Sequence, residues 1–402
     1  MKNMKELTLK EEQIIKDVGG KMKLFLSVFS ITLTMILLIN GCTGDKGSDR
    51  YFRKVAIDGR YAIKGEFPLT PEMGKKGESY HFLYNDEGML VRVDHLLGGK
   101  LKGKSLFGSS VARVIIKYLE TYEKRTYFDA NGIPVMDKDG VYSISLLFNE
   151  GNLKMSRLNY GKFGEFIEDN YGVVQYLWTL DAERRIAKAI FYDMLGKRLT
   201  NEEGGFETRF KYDEDGNMIE RSYFDSRGNL GENKDGVAVL RQKFDDKGNI
   251  IEIRRFDAMD KLKKMGNGIA VIQQKVDEDG NIVETRYLGK DEKLKENNMG
   301  VAIIRCKFDS YGNMVEQKYY DISDKLTEGR FYGFAIRQWE YDEEGKLLET
   351  RFLDVNGDLK NIINEEAAIL RIEYDKEGDL KQVLHFDKEG KLVRDSTTSS
   401  VL

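Results

Sequence analysis

A chain of 402 residues with 64 Lys and Arg against 68 Asp and Glu carries a formal charge of −4. That balance gives no electrostatic case for nucleic acid, which calls for a basic patch, and no nucleic-acid partner is expected. With 41% hydrophobic, 11% aromatic and 33% charged residues, it is too apolar for a disordered chain and too polar for a bundle of membrane helices.

Residues 1–41 read as an export signal. Lys21 and Lys23 precede an apolar run from Leu24 to Ile39, 16 residues long and short of the roughly 20 that span a bilayer as a helix. Met22 makes a more typical start than Met1, so residues 1–21 are expected to lie upstream of the true initiator. The run ends in Leu38-Ile39-Asn40-Gly41-Cys42, which resembles the bacterial lipobox. The resemblance implies that the Cys42 thiol takes diacylglycerol and becomes the mature N-terminus. The chain is then held outside the cytoplasm on a bacterial membrane, the outer membrane where one exists. Several acyl chains anchor stably where one does so marginally.

Residues 42–74 are expected to form a polar tether and an N-terminal cap, with Pro68 and Pro71 in the segment where no repeat is visible. Cys306 is the only other cysteine. It occupies a position held by Phe210 and Trp339 in other copies of a repeat, and reads as core filling.

That repeat dominates residues 75–395. An Asp-x-x-Gly turn recurs at Asp213/Gly216, Asp245/Gly248, Asp277/Gly280, Asp309/Gly312, Asp342/Gly345 and Asp375/Gly378, in steps of 32, 32, 32, 33 and 33 residues. Stepping back by 32 reaches Asp181, Asn149, Lys117 and Asn85, which makes ten copies. A fixed period of this size means stacked supersecondary units.

Around each turn, β-forming runs alternate apolar and polar residues. Phe244, Gln242, Leu240 and Ala238 fall on one face and Lys243, Arg241 and Val239 on the other. Two such runs joined by a short loop containing Gly predict a β-hairpin with a bulge at the Gly. The fold class expected is therefore all-β. Tandem hairpins of about 32 residues should pair into an elongated antiparallel meander or solenoid, with a propeller as the alternative. The polar end from Arg394 onward is expected to fray, leaving 396–402 as a tail.

The Tyr-Asp-x-x-Gly-Asn turn, followed by a strand and Tyr/Phe-x-Asp, resembles the YD repeats of Rhs-type shell proteins and, more loosely, MORN-like hairpin repeats. The resemblance implies an array of β-hairpins.

Little here points to chemistry. His81, His95 and His385 lack ligand spacing, and no P-loop, Rossmann or nucleophile-elbow motif occurs in the mature chain. No metal and no cofactor are expected. The turn acids vary between copies and serve the turn. A column of Glu220, Glu252, Glu284, Glu316 and Glu349, with Arg221, Arg254, Arg286, Lys318 and Arg351 beside it, suits cross-strand ion pairs better than a glycosidase pair. Tyr223, Tyr287, Tyr319 and Phe352 form a repeated column that is a candidate binding strip.

The expected function is that of a non-enzymatic envelope lipoprotein. It would reach the membrane through Cys42 and offer an extended surface to an unidentified protein or glycan. The alternatives are a shell or immunity-type partner of a secreted toxin, or an envelope glycan-active enzyme. Such an enzyme would show repeat-breaking polar groups clustered around residues 80–200.

Overall fold

The structure is a computed structural model. It describes residues 49–396 except 104, 150, 202, 266, 267, 364, 365 and 376–379. The export signal, Cys42 and Gly378 lie outside the described residues.

The repeat is visible in the backbone. In one unit, β15 (Val239–Phe244) and β16 (Ile250–Phe256) form an antiparallel hairpin, and β17 (Val271–Val276) opens the next. Within the hairpin the register runs from Val239↔Phe256 to Phe244↔Ile250, with a bulge at Lys243/Phe244. Between units the ladder is shorter, pairing Glu252 with Gln273, Ile253 with Ile272 and Arg254 with Val271. Alternating long and short ladders link the described strands into one continuous 25-stranded sheet. It is all-β and antiparallel apart from α1 (Pro71–Lys76), a single turn capped by Thr70. One unbroken sheet replaces the separate blades of a propeller. The sheet does not close: β2 (Ile63–Leu69) pairs only with β1 (Asp49–Ile57) at one edge, and β25 (Leu392–Ser396) only with β24 (Leu380–Phe386) at the other. Arg394, Asp395 and Ser396, expected to fray, are therefore paired.

The unit that opens at Asp213 contains three Asp-x-x-Gly-type turns. After the hairpin turn at Asp213, the backbone repeats the same pattern at Asp225–Asn229 and Asn233–Val237: the first residue's N–H reaches the last carbonyl, and the Gly N–H reaches back to the first carbonyl. Gly216, Gly228 and Gly236 all have φ between +70° and +89°, where a Cβ would be strained. The third turn missed notice in the sequence because its first residue varies, although Gly236, Gly268, Gly300 and Gly333 marked it. These third turns bond to one another across units: Asn170 N–H to Asp139 O, Lys234 to Glu203, Arg330 to Met299 and Ile363 to Tyr332, at 2.7–3.0 Å. The loop edge is thus a ladder of its own.

Beneath it, Ala238, Ala270, Ala302, Ala335 and Ala368 are all fully buried.

The N-terminal segment is more than a cap. β1 pairs with β2 on one side and with β3 (Glu78–Tyr84) on the other. The β1–β2 hairpin lies against the inner side of the array. Arg53 Nη1 donates to the Tyr311 carbonyl at 2.6 Å, and Ile186 N–H donates to the Gly59 carbonyl at 2.5 Å. The Tyr212 ring packs on Gly59, and the Phe67 ring on Gly280. Farther along, a Cβ on Gly345 would meet the Lys76 carbonyl, and one on Gly98 would meet that of Glu344. The twisted ribbon has therefore curled far enough to bring the turn at Asp342 back to the start of the sheet.

Candidate functional site

The hairpin turns are saturated structures. Asp245 Oδ1 accepts from the N–H groups of Lys247 and Asn249 at 3.0 and 2.8 Å, and its Oδ2 accepts from Asn249 Nδ2 at 2.9 Å. Asp277 and Asp309 repeat this arrangement with Asn281 and Asn313. Asp213 also accepts from both the N–H and Nδ2 of Asn217, and Asp342 keeps the backbone bonds to Glu344 and Lys346. Both carboxylate oxygens serve the turn where Asn follows the Gly.

The glutamate column is an ion ladder on the outer face. Glu252 meets Lys243 and Arg254; Glu284 meets Lys275, Arg286 and Arg305; Glu316 meets Lys307 and Lys318; Glu349 meets Arg351 and Arg371. Hydrogen bonds from these cations, joined by Gln273 at Glu252 and Gln338 at Glu316, outweigh burial and hold the Glu252, Glu284 and Glu316 carboxyls at about 2. One member departs from expectation. Glu220 takes Lys211 and Arg241, whereas Arg221 points the other way and meets Glu203 at 2.9 Å. Period-2 alternation explains this: Arg254 is 32 residues on from Ser222, not from Arg221.

The proposed aromatic strip is a correction. Tyr223, Tyr319 and Phe352 are buried, and Tyr287 is half-buried. Tyr319 stacks on Phe334 at 5.5 Å, and Phe334 packs on Phe352 at 4.9 Å. These rings sit on the inner face under the folded-back loops, so they form core rather than a surface.

A different row is exposed. At the tips of the second turns, Phe163, Leu195 and Met259 are 90%, 92% and 73% exposed. They share one phase, 32 and then 64 residues apart, with Arg227 at the intervening position. Single exposed apolar residues are ordinary; these three share a loop edge on which Asn131, Asp291, Ser323 and Asn356 hold the same phase in other units.

The second feature absent from the sequence reading lies at the β1–β2 tip. Arg157, on β9 (Lys154–Tyr160), is only 4% exposed. It donates to Asn159 Oδ1, Asp139 Oδ2 and the Tyr61 hydroxyl at 2.8–3.0 Å, and lies 4.8 Å from the Tyr176 ring centre. Tyr176 in turn donates to Asp169. Nearby, buried Arg125 and Glu123 pair at 2.6 Å, and Lys154 joins Glu123 at 2.9 Å. Burial pushes the Asp137 carboxyl up to about 6. Cavities of about 360 and 370 Å³ flank Arg157. Arg125, Arg157 and Arg221 occupy inward positions where later units place Ile253, Thr285, Gln317 and Thr350. That break in phase was the signal available. The polar cluster falls within residues 80–200, where an enzyme would have placed its site. Within it, Asp137 Oδ1 accepts from the N–H groups of Asp139 and Val141, and Asp139 Oδ2 accepts from Arg157.

No family model and no curated protein matches the chain. Among solved structures, it overlaps a TcdB2-TccC3 structure with a TM-score of 0.24 and 11% identity, over 80% of this chain and 19% of that one. The Photorhabdus luminescens Tc holotoxin pore gives 0.24 and 9%, over 83% and 21%. A porin-like protein from Bacteroides uniformis gives 0.20 and 9%, over 67% and 88%. The chain thus spans about a fifth of each of the first two. Overlaps this low leave the fold resting on the chain's own strand register.

Proposed function

We propose that the protein is a non-enzymatic envelope lipoprotein, anchored through Cys42, whose hairpin array offers one long edge to a protein partner. The phased row of Phe163, Leu195 and Met259 carries this reading. The array holds three apolar tips in water on one loop edge, at positions of the same repeat phase, and the ion ladder and stacked loops stiffen the frame beneath them. An extended partner can meet such a row at several points at once, which raises avidity without any single tight contact.

A photo-crosslinking residue placed in turn at positions 163, 195 and 259 in the native envelope tests the idea. Capture of the same partner from all three positions supports it. Capture from none, or of unrelated proteins from each, defeats it. The anchor has a separate test: Cys42→Ser abolishes metabolic acyl labelling, and labelling that persists removes the lipoprotein reading.

The toxin-related alternative divides in two. A shell needs interior room, and among the described residues the β1–β2 hairpin lies on the inner side beside cavities of about 360 to 420 Å³. An immunity-type protein would use the same loop edge, and a toxin among the crosslinked partners would identify it. The glycan-active enzyme draws on the polar cluster at Arg157. Its test is hydrolysis of envelope glycan by the purified chain, lost in Asp139→Asn.

A further inference from the structure

We infer that the cavity at the tip of the β1–β2 hairpin is a binding site for a neutral carbohydrate of one or two rings. It holds about 360 Å³, within the range of small-ligand pockets. The inference is independent of the loop edge and of the anchor.

The walls come from distant parts of the chain. Tyr61, at the hairpin tip, has φ +57° and packs on Trp178 with ring centres 4.9 Å apart. Phe210 and Tyr212 extend the aromatic side. The polar side holds Arg157 and Arg221. A strained non-glycine residue at the tip of an inserted hairpin is costly, and here it delivers a tyrosine ring and hydroxyl to the cavity wall.

The donors decide the chemistry. Arg157 spends Nε and Nη1 on Asn159, Asp139 and Tyr61, but its Nη2 is buried without an acceptor among the described residues. Arg221 pairs with Glu203, and its buried Nε also has no acceptor there. A buried guanidinium N–H without an acceptor is costly. Both arginines line the one cavity, and each keeps an unanswered donor just beneath its wall, so a small turn of either guanidinium would present that donor to a ligand rich in acceptor oxygens.

Charge narrows the class. Asp139 already balances Arg157, Glu203 balances Arg221 and Asp58 pairs with Lys64, while Lys138 stands exposed to water at the rim. A phosphate dianion would add two charges beside ion pairs that are already balanced. Hydroxyl and ring oxygens accept from the guanidinium edges without that penalty, while a sugar's C–H face lies against the aromatic wall. The cavity reaches solvent beside Ile57 and Tyr171, which are 39% and 36% exposed.

Tryptophan fluorescence of the full chain gives the test. Trp178 and Trp339 are the only tryptophans, and Phe210 stands at the position of Trp339 in another unit, so Trp339→Phe leaves Trp178 as a lone reporter. Cellobiose, N,N′-diacetylchitobiose, glucose and glucose 6-phosphate are titrated in turn. A saturable signal with at least one neutral sugar is expected, with glucose 6-phosphate weaker than glucose. Arg157→Met should weaken binding about tenfold or more, the worth of a hydrogen bond from a charged donor. Because that change could disturb the fold, Ala189→Leu provides a second variant. Ala189 is buried on the cavity wall, and the added carbons fill the space; binding should vanish with the thermal melt retained. No saturable signal from any neutral sugar, tighter binding of the phosphate ester, or unchanged binding in Ala189→Leu would each overturn the proposal.

Discussion

Arg305 of one unit reaches back to Glu284 of the unit before it, Nε to Oε2 at 2.7 Å, while Arg286 takes the other oxygen at 2.8 Å. The carboxylate therefore ties its own strand to the next across the short inter-unit ladder. The same Arg305 lies 4.4 Å from the Tyr320 ring centre, so one side chain joins three strands.

Acid should loosen this ladder. The carboxyls of Glu252, Glu284 and Glu316 sit at about 2 when folded, against an ordinary value of 4.5. A carboxyl with a lowered folded value contributes stability that is complete above its unfolded value and fades as pH falls toward the folded one. The melting temperature should be flat near neutrality and drop between about pH 4.5 and pH 2. Replacing all three by Gln should flatten that drop. A melt as steep in the triple variant places the acid sensitivity elsewhere.

Phe352→Ala should destabilise the chain by about 3–5 kcal/mol, as removal of a buried aromatic ring does. Phe352 is 4% exposed. Urea unfolding reads the change directly. A loss under about 0.5 kcal/mol, typical of a surface position, would return this ring to the surface and restore the binding strip.

Gly312 and Gly248 share the same turn and nearly the same φ, +82° and +83°. Alanine at either pays about 1–2 kcal/mol for left-handed backbone. At Gly312 the new Cβ would also strike the Arg53 guanidinium, whereas Gly248 faces only the Asn217 side chain. Gly312→Ala should be the more damaging, and the difference should shrink in an Arg53→Ala background. Equal costs in both backgrounds would show that the hairpin does not press on this turn.

Removing residues 49–69 should uncover apolar inner face rather than merely shorten the array. Phe52, Val55, Tyr61 and Ile63 pack against the largest core cluster. The truncated chain should bind a hydrophobic dye far more strongly than the intact one. Unchanged dye fluorescence together with an unchanged melt would reduce the hairpin to an ornament.

The local chemistry was legible from residue order alone. An Asp followed by Gly three residues later closes its own turn, strands alternate every second residue, and a 32-residue interval stacks like on like. The all-β class, the hairpins and most of the Glu ladder followed from these short-range rules. Cys306, expected as core filling, is half-buried beside Gln317, and burial pushes its thiol up.

Tertiary structure decided which face became the inside and what filled it. The bond from Arg53 to Tyr311 spans 258 residues, and no periodicity reports a contact of that length. Burial of Tyr223 and Tyr319 depends on loops folding back over them, which the pattern of a strand cannot reveal. The pocket at Arg157 exists because curl, set by the accumulated twist of many strand pairs, brings the Tyr61 tip to inward-facing arginines from separate units.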